Sequence, residues 1–458
     1  MSFTSPIFLF LLLPCFTLTV WLTRKRSNAK KILIFSANAI FCLWNGAAGM
    51  LFVTVYSCVI WVFSIILTKK KNKVLFAGTL ILAVMPLLTI KYSSFMIRNL
   101  NTVFQSSIRL PAFYTPIGIS FFTFEALSFL SDVYHNRIGD SVMFTDTLLY
   151  LSFFPTITSG PIIRYRDFET GLRNPVKSAD FWPAAERFAL GICKKMLIAD
   201  KLAPLANYYF DGTAAGNDFS FIGLWIGSFA YSLQLYFDFS GYTDMAIGIG
   251  RLLGFELCEN FDHPYCASGI TDFWRRWHIS LSRWFRDYVY IPLGGNRCSV
   301  PRHVFNLLTV WLLTGIWHGA DWSFVFWGLG YFILLLLEKY VPVMRKIGER
   351  WVGHAYTLLC VNLLWVLFRA ENLSTAGRYL SGMLRLSATV QTETIAFRFL
   401  PYLLMAMMLC LPWKSILRDA TENKWLQICR RTAVLLLGLL AICAVVNTNY
   451  APYIYGTF

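Results

Sequence analysis

LLTVWLLTGIWHGADWSFVFWGLGYFILLLL, from Leu307 to Leu337, is about 31 residues of nearly unbroken apolar sequence with one histidine and one aspartate at its waist. A helix needs roughly 20 residues to cross the hydrocarbon core of a bilayer, so the run suits one long helix or two broken ones. Gly315 and Gly319 bracket the polar point. Glycine inside a helix costs about 1 kcal/mol against alanine, a cost easier to explain if the backbone bends there or something packs closely beside His318. An ionisable side chain at membrane depth is expensive and by default reads as a functional site. The plainer reading is a histidine satisfied by a neighbouring carbonyl or by Asp321. Trp311, Trp317, Trp322 and Trp327 suit either reading, as pocket walls or as filler between helices.

The surrounding chain has the same character. Of 458 residues, 56% are hydrophobic and 17% aromatic, and only 14% are charged, where a soluble protein carries about 25% charged residues. The mean hydropathy is +0.53. The sequence therefore predicts an all-α polytopic membrane protein. The formal charge of +16 falls in short bursts between apolar runs, as expected of cytoplasmic loops, and no basic domain lies outside them. That placement argues against a nucleic-acid partner and for membrane lipid. Eleven cysteines are scattered singly, without a C-x-x-C pair, which reads neither as a disulfide framework nor as a zinc site. No ligand set with sensible spacing for a metal is present, so none is expected.

Phe3 to Leu22 reads as an uncleaved first span. Arg24, Lys25, Arg26, Lys30 and Lys31 then mark the cytoplasmic side and leave the N-terminus outside. Ile32 to Leu67 is too long for one helix and carries Asn45-Gly46 near its middle, so it predicts a helical hairpin that returns to the burst Lys69, Lys70, Lys71 and Lys73. Val74 to Ile90 is the next span, kinked at Pro86, and Lys91 to Leu110 reads as a connecting segment. Pro116 to Asn136 is a mixed helix holding Glu125 and Asp132. Leu148 to Ile163 contains Pro155, Gly160 and Pro161 and cannot be one regular helix. Such backbone is tolerated at membrane depth only where protein or a water-filled cavity covers it.

Arg164 to Trp182 reads as a polar loop, Phe188 to Leu205 as a shorter helix, and Phe219 to Phe255 as one or two spans around Asp238 and Asp244. Three weaker spans follow, near 355–368, 397–413 and 432–447. The total is roughly 11 spans, in a single integral-membrane domain over 1–458, divided into N-terminal spans 1–110, a core 111–340 and C-terminal spans 341–458. No internal repeat supports a transporter built from duplicated halves.

Between the two central runs lies FWRRWHISLSRWFRDYVYIPLGGNR, Phe273 to Arg297. Wound at about 100° per residue, it places Trp274, Trp277, His278, Leu281 and Phe285 on one face. Arg275, Arg276, Arg283, Arg286 and Asp287 fall on the other. A basic face opposite an aromatic one describes a helix lying in the membrane interface, and an anchoring helix is its simplest meaning. His278, however, lies on the buried face, and guanidinium forks suit phosphate. The remaining histidines, His135, His263, His303 and His354, fall near span ends or in loops and read as ordinary polar residues.

Leu235 to Arg297, followed by LTGIWHGADWSFVFWG, resembles the membrane-bound O-acyltransferase family, and within it is most similar to the bacterial alginate O-acetyltransferase branch. PIGISFFTFEALSFLSDVY, FFPTITSGPIIRY, NFDHPY, FRAENLSTAG and the C-terminal PYIYGTF share the likeness. IPLGGNR favours the polysaccharide-acetylating branch over the D-alanine-transferring one. Where the branch often shows a tyrosine-histidine pair after Trp327-Gly328, this chain has Leu329, Gly330 and Tyr331.

The resemblance implies an O-acyltransferase whose spans and interfacial or re-entrant helices surround a central cavity holding His318 and His278. His318 falls on the family's histidine and would be general base. His278 could orient His318 or the donor, or stabilise the oxyanion. Acetyl-CoA or a similar thioester would be the donor substrate, with no bound cofactor. Arg275, Arg276 and Arg283 would hold its phosphates, and Trp274, Trp277, Trp317 and Asp238 are further binding candidates. The resemblance also implies the cell (cytoplasmic, inner) membrane and a separate extracytoplasmic acetyltransferase partner acting on a polysaccharide. D-alanyl transfer to an envelope polymer, or a flippase without chemistry, are the competing readings.

Overall fold

A computed structural model describes residues 2–24, 27–139, 142–348, 351–385, 393–413 and 424–447. Among these, every named element is a helix, and the sole bridge between extended residues joins Phe261 to Trp277. The C-terminal PYIYGTF lies outside the described residues. Contacts divide the chain into two compact units, Met1–Phe188 with Thr243–Cys258, and Ala189–Tyr242 with Glu259–Ile454.

In the first unit, a wide helical turn at Phe8–Leu12 leads into α1 (Leu13–Thr23). The predicted hairpin forms as α2 (Ser27–Leu43) and α3 (Ala47–Lys69). Gly46 makes its turn at φ 102°, a conformation that favours glycine. α4 (Lys73–Leu87) contains Pro86, and a π turn over Leu88–Tyr92 follows before α5 (Ser93–Phe104). Proline removes an amide and crowds the carbonyl four residues back; the widened turn absorbs both. The segment read as a connector from Lys91 is therefore helical as far as Phe104.

α6 (Ile119–Tyr134) is buried along most of its length and packs on α3 and α4, and α7 (Phe144–Leu151) packs on α3. As the prolines and Gly160 predict, no regular helix runs through residues 152–164. Protein covers this backbone and supplies it with hydrogen bonds. Asn38 Oδ1 accepts from Phe154 N at 2.9 Å, Asn38 Nδ2 donates to Leu149 O at 3.2 Å, and Tyr150 Oη donates to Ile163 O at 2.8 Å. The stretch read as a polar loop from Arg164 instead begins with α8 (Tyr165–Arg173). Tyr165, Phe168 and Leu172 supply its buried stripe.

The next helices are α9 (Phe181–Cys193) and, after a π turn over Lys194–Ala199, α10 (Asp200–Ala214). α11 (Phe221–Leu252) is one continuous helix rather than two spans. Two short helices, α12 (Ile270–Arg276) and α13 (Ile279–Phe285), precede α14 (Val300–His318) and α15 (Trp322–Tyr340). α16 (Pro342–Gly348), α17 (Val352–Arg369), α18 (Leu373–Gly382), α19 (Glu393–Leu409) and α20 (Lys424–Asn447) complete the order.

The Leu307–Leu337 run is thus two helices broken at Gly319-Ala320-Asp321. α14 and α15 pack so tightly that a Cβ on Gly328 would run into the Trp311 carbonyl, and one on Gly315 would stand 2.5 Å from the Phe324 carbonyl. Asp321 caps α15, its carboxylate accepting from Ser323 N at 3.0 Å. Among the described residues, five helices are long and apolar enough to cross a membrane, and two shorter apolar ones cover Phe8–Thr23 and Ile395–Leu409. Length and composition thus make this a multi-pass membrane protein without yielding eleven spans. α6 carries Glu125 and Asp132 over 16 residues, and α11 carries Asp238 and Asp244.

The glycine contact between α14 and α15 predicts that Gly328→Ala overpacks the pair and destabilises the protein by about 1–3 kcal/mol. Gly78→Ala, in α4 with open space around its Cα, is the control. Thermal unfolding in detergent should show a lowered midpoint for the first variant and no loss for the second.

Candidate functional site

The segment Phe273–Arg297 is not one helix. Trp277 is extended (φ −102°, ψ 131°) and His278 left-handed (φ 44°, ψ 55°), so the chain turns a corner between α12 and α13. The cause is a strand-like partner upstream. Asp262 N donates to Arg276 O at 2.9 Å, and Ile279 N donates to Asn260 O at 3.0 Å. The Asn260 side chain then takes the place of a preceding helical turn, with Oδ1 accepting from Ser280 N at 3.0 Å and from Ser280 Oγ at 2.8 Å. The first amides of α13 are satisfied by Asn260 instead of by α12.

The facial partition read from sequence survives the corner. Trp274, Trp277, His278, Leu281 and Phe285 are buried, while Arg275, Arg283 and Arg286 are exposed. Arg276 is partly covered and bonded to Asp272 at 3.0 Å. α12 is anchored at its start by Glu338, whose carboxylate accepts from Ile270 N and from Thr271 N and Oγ1, the latter two at 2.9 and 2.7 Å.

His278 and His318 come to one place. His318 is the last residue of α14 and is 1% exposed; His278 is 0% exposed. Both neighbour the Trp317 indole, with ring centroids 4.8 Å from it for His318 and 6.2 Å for His278. His318 also meets Trp327 edge-on at 4.9 Å and Phe368 at 5.1 Å. His278 meets Phe239 at 4.8 Å. Burial pushes the His278 imidazole from its usual value near 6.5 down to about 3. Its Nδ1 lies 3.3 Å from Asn260 Oδ1. Because Ser280 N already identifies that atom as the carbonyl oxygen, Nδ1 is the protonated nitrogen and Nε2 carries the lone pair.

Of the further candidates, Trp274 and Trp277 lie in an aromatic core. Trp274 packs edge-on against Trp311 and Tyr331, and Trp277 stacks on Phe273 and contacts Trp365. Trp274 Nε1, Trp327 Nε1 and Asn260 Nδ2 are buried without a hydrogen-bond partner among the described residues. Asp238 is bonded to the ammonium of Lys195 at 2.6 Å, and the same ammonium reaches Asp200 at 2.8 Å. Its carboxylate is held in an internal ion pair. Among the described residues, no group of three or more His, Cys, Asp or Glu side chains could hold a metal.

His303 departs from its reading as an ordinary polar residue. It is 3% exposed, with Nε2 3.0 Å from both Tyr290 Oη and Lys339 Nζ, and Nδ1 2.9 Å from Tyr340 Oη. Sequence reasoning also missed Asn260, Phe368 and Trp365. Asn260 stood inside NFDHPY with no periodicity to mark it. Phe368 and Trp365 lie in a span that reads as one of the weaker ones, and only the FRAENLSTAG likeness hinted at that region.

The sequence model described as MBOAT, membrane-bound O-acyltransferase family, matches residues 39–369. A protein of Azotobacter vinelandii described as "Probable alginate O-acetylase AlgI" is 38% identical over 401 residues, covering 84% of this chain and 78% of its own length. The peptidoglycan O-acetyltransferase of Helicobacter pylori is 33% identical over 423 residues, 80% of this chain and 79% of its own. The teichoic acid D-alanyltransferase of Bacillus subtilis is 29% identical over 291 residues, 61% of this chain and 71% of its own.

The Asn260 contact predicts a fixed tautomer. Nitrogen-15 spectra of histidine-labelled protein in lipid should show a protonated Nδ1 for His278 at neutral pH. Asn260→Leu should erase that preference, and Asn260→Asp, which sets a carboxylate beside the ring, should raise the pH at which His278 protonates.

Proposed function

The chain belongs to the membrane-bound O-acyltransferase family, and from that premise we propose that it takes an acetyl group from a cytoplasmic thioester, most simply acetyl-CoA, for O-acetylation of an extracytoplasmic polysaccharide. The observation that carries the reading is the pair of buried histidines that both neighbour Trp317. His318 accepts the proton of the acceptor hydroxyl as its oxygen attacks the thioester carbonyl. The carbon–sulfur bond then breaks, and the thiolate leaves with a proton returned from the imidazolium. The buried setting of His318 keeps water from competing for the thioester. His278, with its lone pair on Nε2, orients His318 or the donor. The unpartnered Trp274, Trp327 and Asn260 N–H groups are the kind of donors that a developing oxyanion takes up.

Arg275, Arg276 and Arg283 are proposed to hold the donor phosphates from the cytoplasmic side, with Trp317 lining the donor path. The exposure of Arg275 and Arg283 supports this. Basic bursts at both ends of the α2–α3 hairpin support a cytoplasmic-membrane protein with its N-terminus outside. We propose that the acetyl group reaches polymer through a separate extracytoplasmic transferase, and that further spans bring the total to eleven. Among the relatives, the acetyltransferases match more of the chain at higher identity than the D-alanyltransferase, which favours acetyl over D-alanyl as cargo. A flippase without chemistry does not fit the family.

His318→Gln preserves volume and a hydrogen-bonding end but cannot accept a proton near neutral pH. A positioned acid-base group contributes about 10²–10⁴-fold, so thioester consumption and polymer acetylation should fall by that factor at matched membrane levels. Substantial acetylation by this variant would defeat the general-base role.

Arg275→Gln with Arg283→Gln should raise the acetyl-CoA KM several-fold with kcat largely retained. Unchanged donor affinity in nanodiscs would make these arginines membrane anchors only.

A further inference from the structure

The first unit carries two cavities that the proposed chemistry does not use, and they share a wall. One is apolar, about 180 Å³, and lies between the start of the chain and α2, lined by Leu12, Phe16, Leu33, Ala37, Ile40 and Phe154 among others. Dry cavities of this order, about 150 Å³, accept small hydrocarbon guests. The other is about 380 Å³ and basic. Arg24, Lys30 and Arg173 line it together with Val20, Thr23 and Leu33, and among the described residues no carboxylate does. Leu33 belongs to both, and Thr19 of the apolar cavity stands one helical turn from Thr23 of the basic one.

The basic cavity is short of negative charge. Lys30 is 7% exposed, and its ammonium donates to Gly171 O at 2.6 Å and Asn174 O at 2.9 Å and lies 4.8 Å from the Phe255 ring. Arg24 donates to Trp21 O and lies over the Trp21 ring. Neither has a carboxylate partner among the described residues, whereas Arg173 is paired with Glu169. A buried ammonium facing only carbonyls and a ring is costly unless an anion completes its surroundings. The outer face of the first helix is exposed and apolar at Phe10, Leu11, Leu18 and Leu22, as a surface bordering lipid is. Trp21 stands at its end beside the basic cluster, where an indole marks the membrane–water boundary.

We propose that the two cavities form one binding site for an anionic phospholipid, with its phosphate among Arg24, Lys30 and Arg173 and one acyl chain in the pocket between the first helix and α2. Charge complementarity decides the headgroup, and the adjoining apolar cavity decides for a lipid over a soluble phosphate. The site stands apart from the proposed acyl transfer and survives if that reading fails.

The test uses the whole chain in nanodiscs of equimolar phosphatidylglycerol and phosphatidylcholine, extracted into mild detergent, with retained lipid counted by native mass spectrometry. Wild type should retain phosphatidylglycerol over phosphatidylcholine by about fivefold or more. Arg24→Gln with Arg173→Gln should bring the ratio towards one while leaving the protein folded, since neither side chain holds α8 as Lys30 does. Ala37→Trp, which fills the apolar cavity, should lower the phosphatidylglycerol retained. Equal retention of both lipids by wild type overturns the proposal. So does displacement of phosphatidylglycerol by inorganic phosphate or acetyl-CoA, or retention unaffected by both sets of variants.

Discussion

The corner at His278 depends on Asn260. Its backbone carbonyl takes Ile279 N, and its side-chain oxygen takes Ser280 N, Ser280 Oγ and the Nδ1 side of His278. Without that group, the first amides of α13 would face a buried, water-poor interior, where an unmade hydrogen bond costs about 1–3 kcal/mol. The natural alternative is to continue α12 through residue 278. That would remove the left-handed turn at His278 and the bonds to Asn260. One amide therefore sets a backbone corner, a ring orientation and a tautomer together.

The same requirement recurs wherever the chain abandons regular helix. Asn38 serves the irregular backbone after α7, and Glu338 serves the start of α12. Charges follow the rule as well. Lys195 sits between Asp238 and Asp200, and His303 is enclosed by Tyr290, Tyr340 and Lys339. Low dielectric makes each of these groups costly alone and strong when paired. Asp238, a binding candidate in the sequence, is thereby paired within the fold.

Close packing does the rest. Gly315 and Gly328 let α14 and α15 approach backbone to backbone, and Gly330 leaves room for Leu364 of α17. That brings Trp365 and Phe368 against Trp327 and His318. The departure at Leu329, Gly330 and Tyr331 belongs to this packing. Tyr331 stacks on Trp311, and the glycine beside it is where the helices meet.

Much was legible in the residues. Long apolar runs, basic bursts and Asn45-Gly46 determined membrane helices and the α2–α3 hairpin, because burial in hydrocarbon and glycine's torsional freedom act locally. Gly315 and Gly319 around His318 determined a break or a close contact, and both are present. The 100° winding sorted buried aromatics from exposed arginines correctly, since the facial pattern outlasts the break at Trp277. What the sequence could not decide was the corner itself. It arises from Asn260, some 18 residues upstream, and side-chain capping at that separation leaves no periodic trace. Nor could it decide that Asp238 would be held by Lys195, that His303 would be enclosed, or that Phe368 would join His318. Those facts rest on which helices meet, and that is settled by tertiary packing and the pairing of buried polar groups.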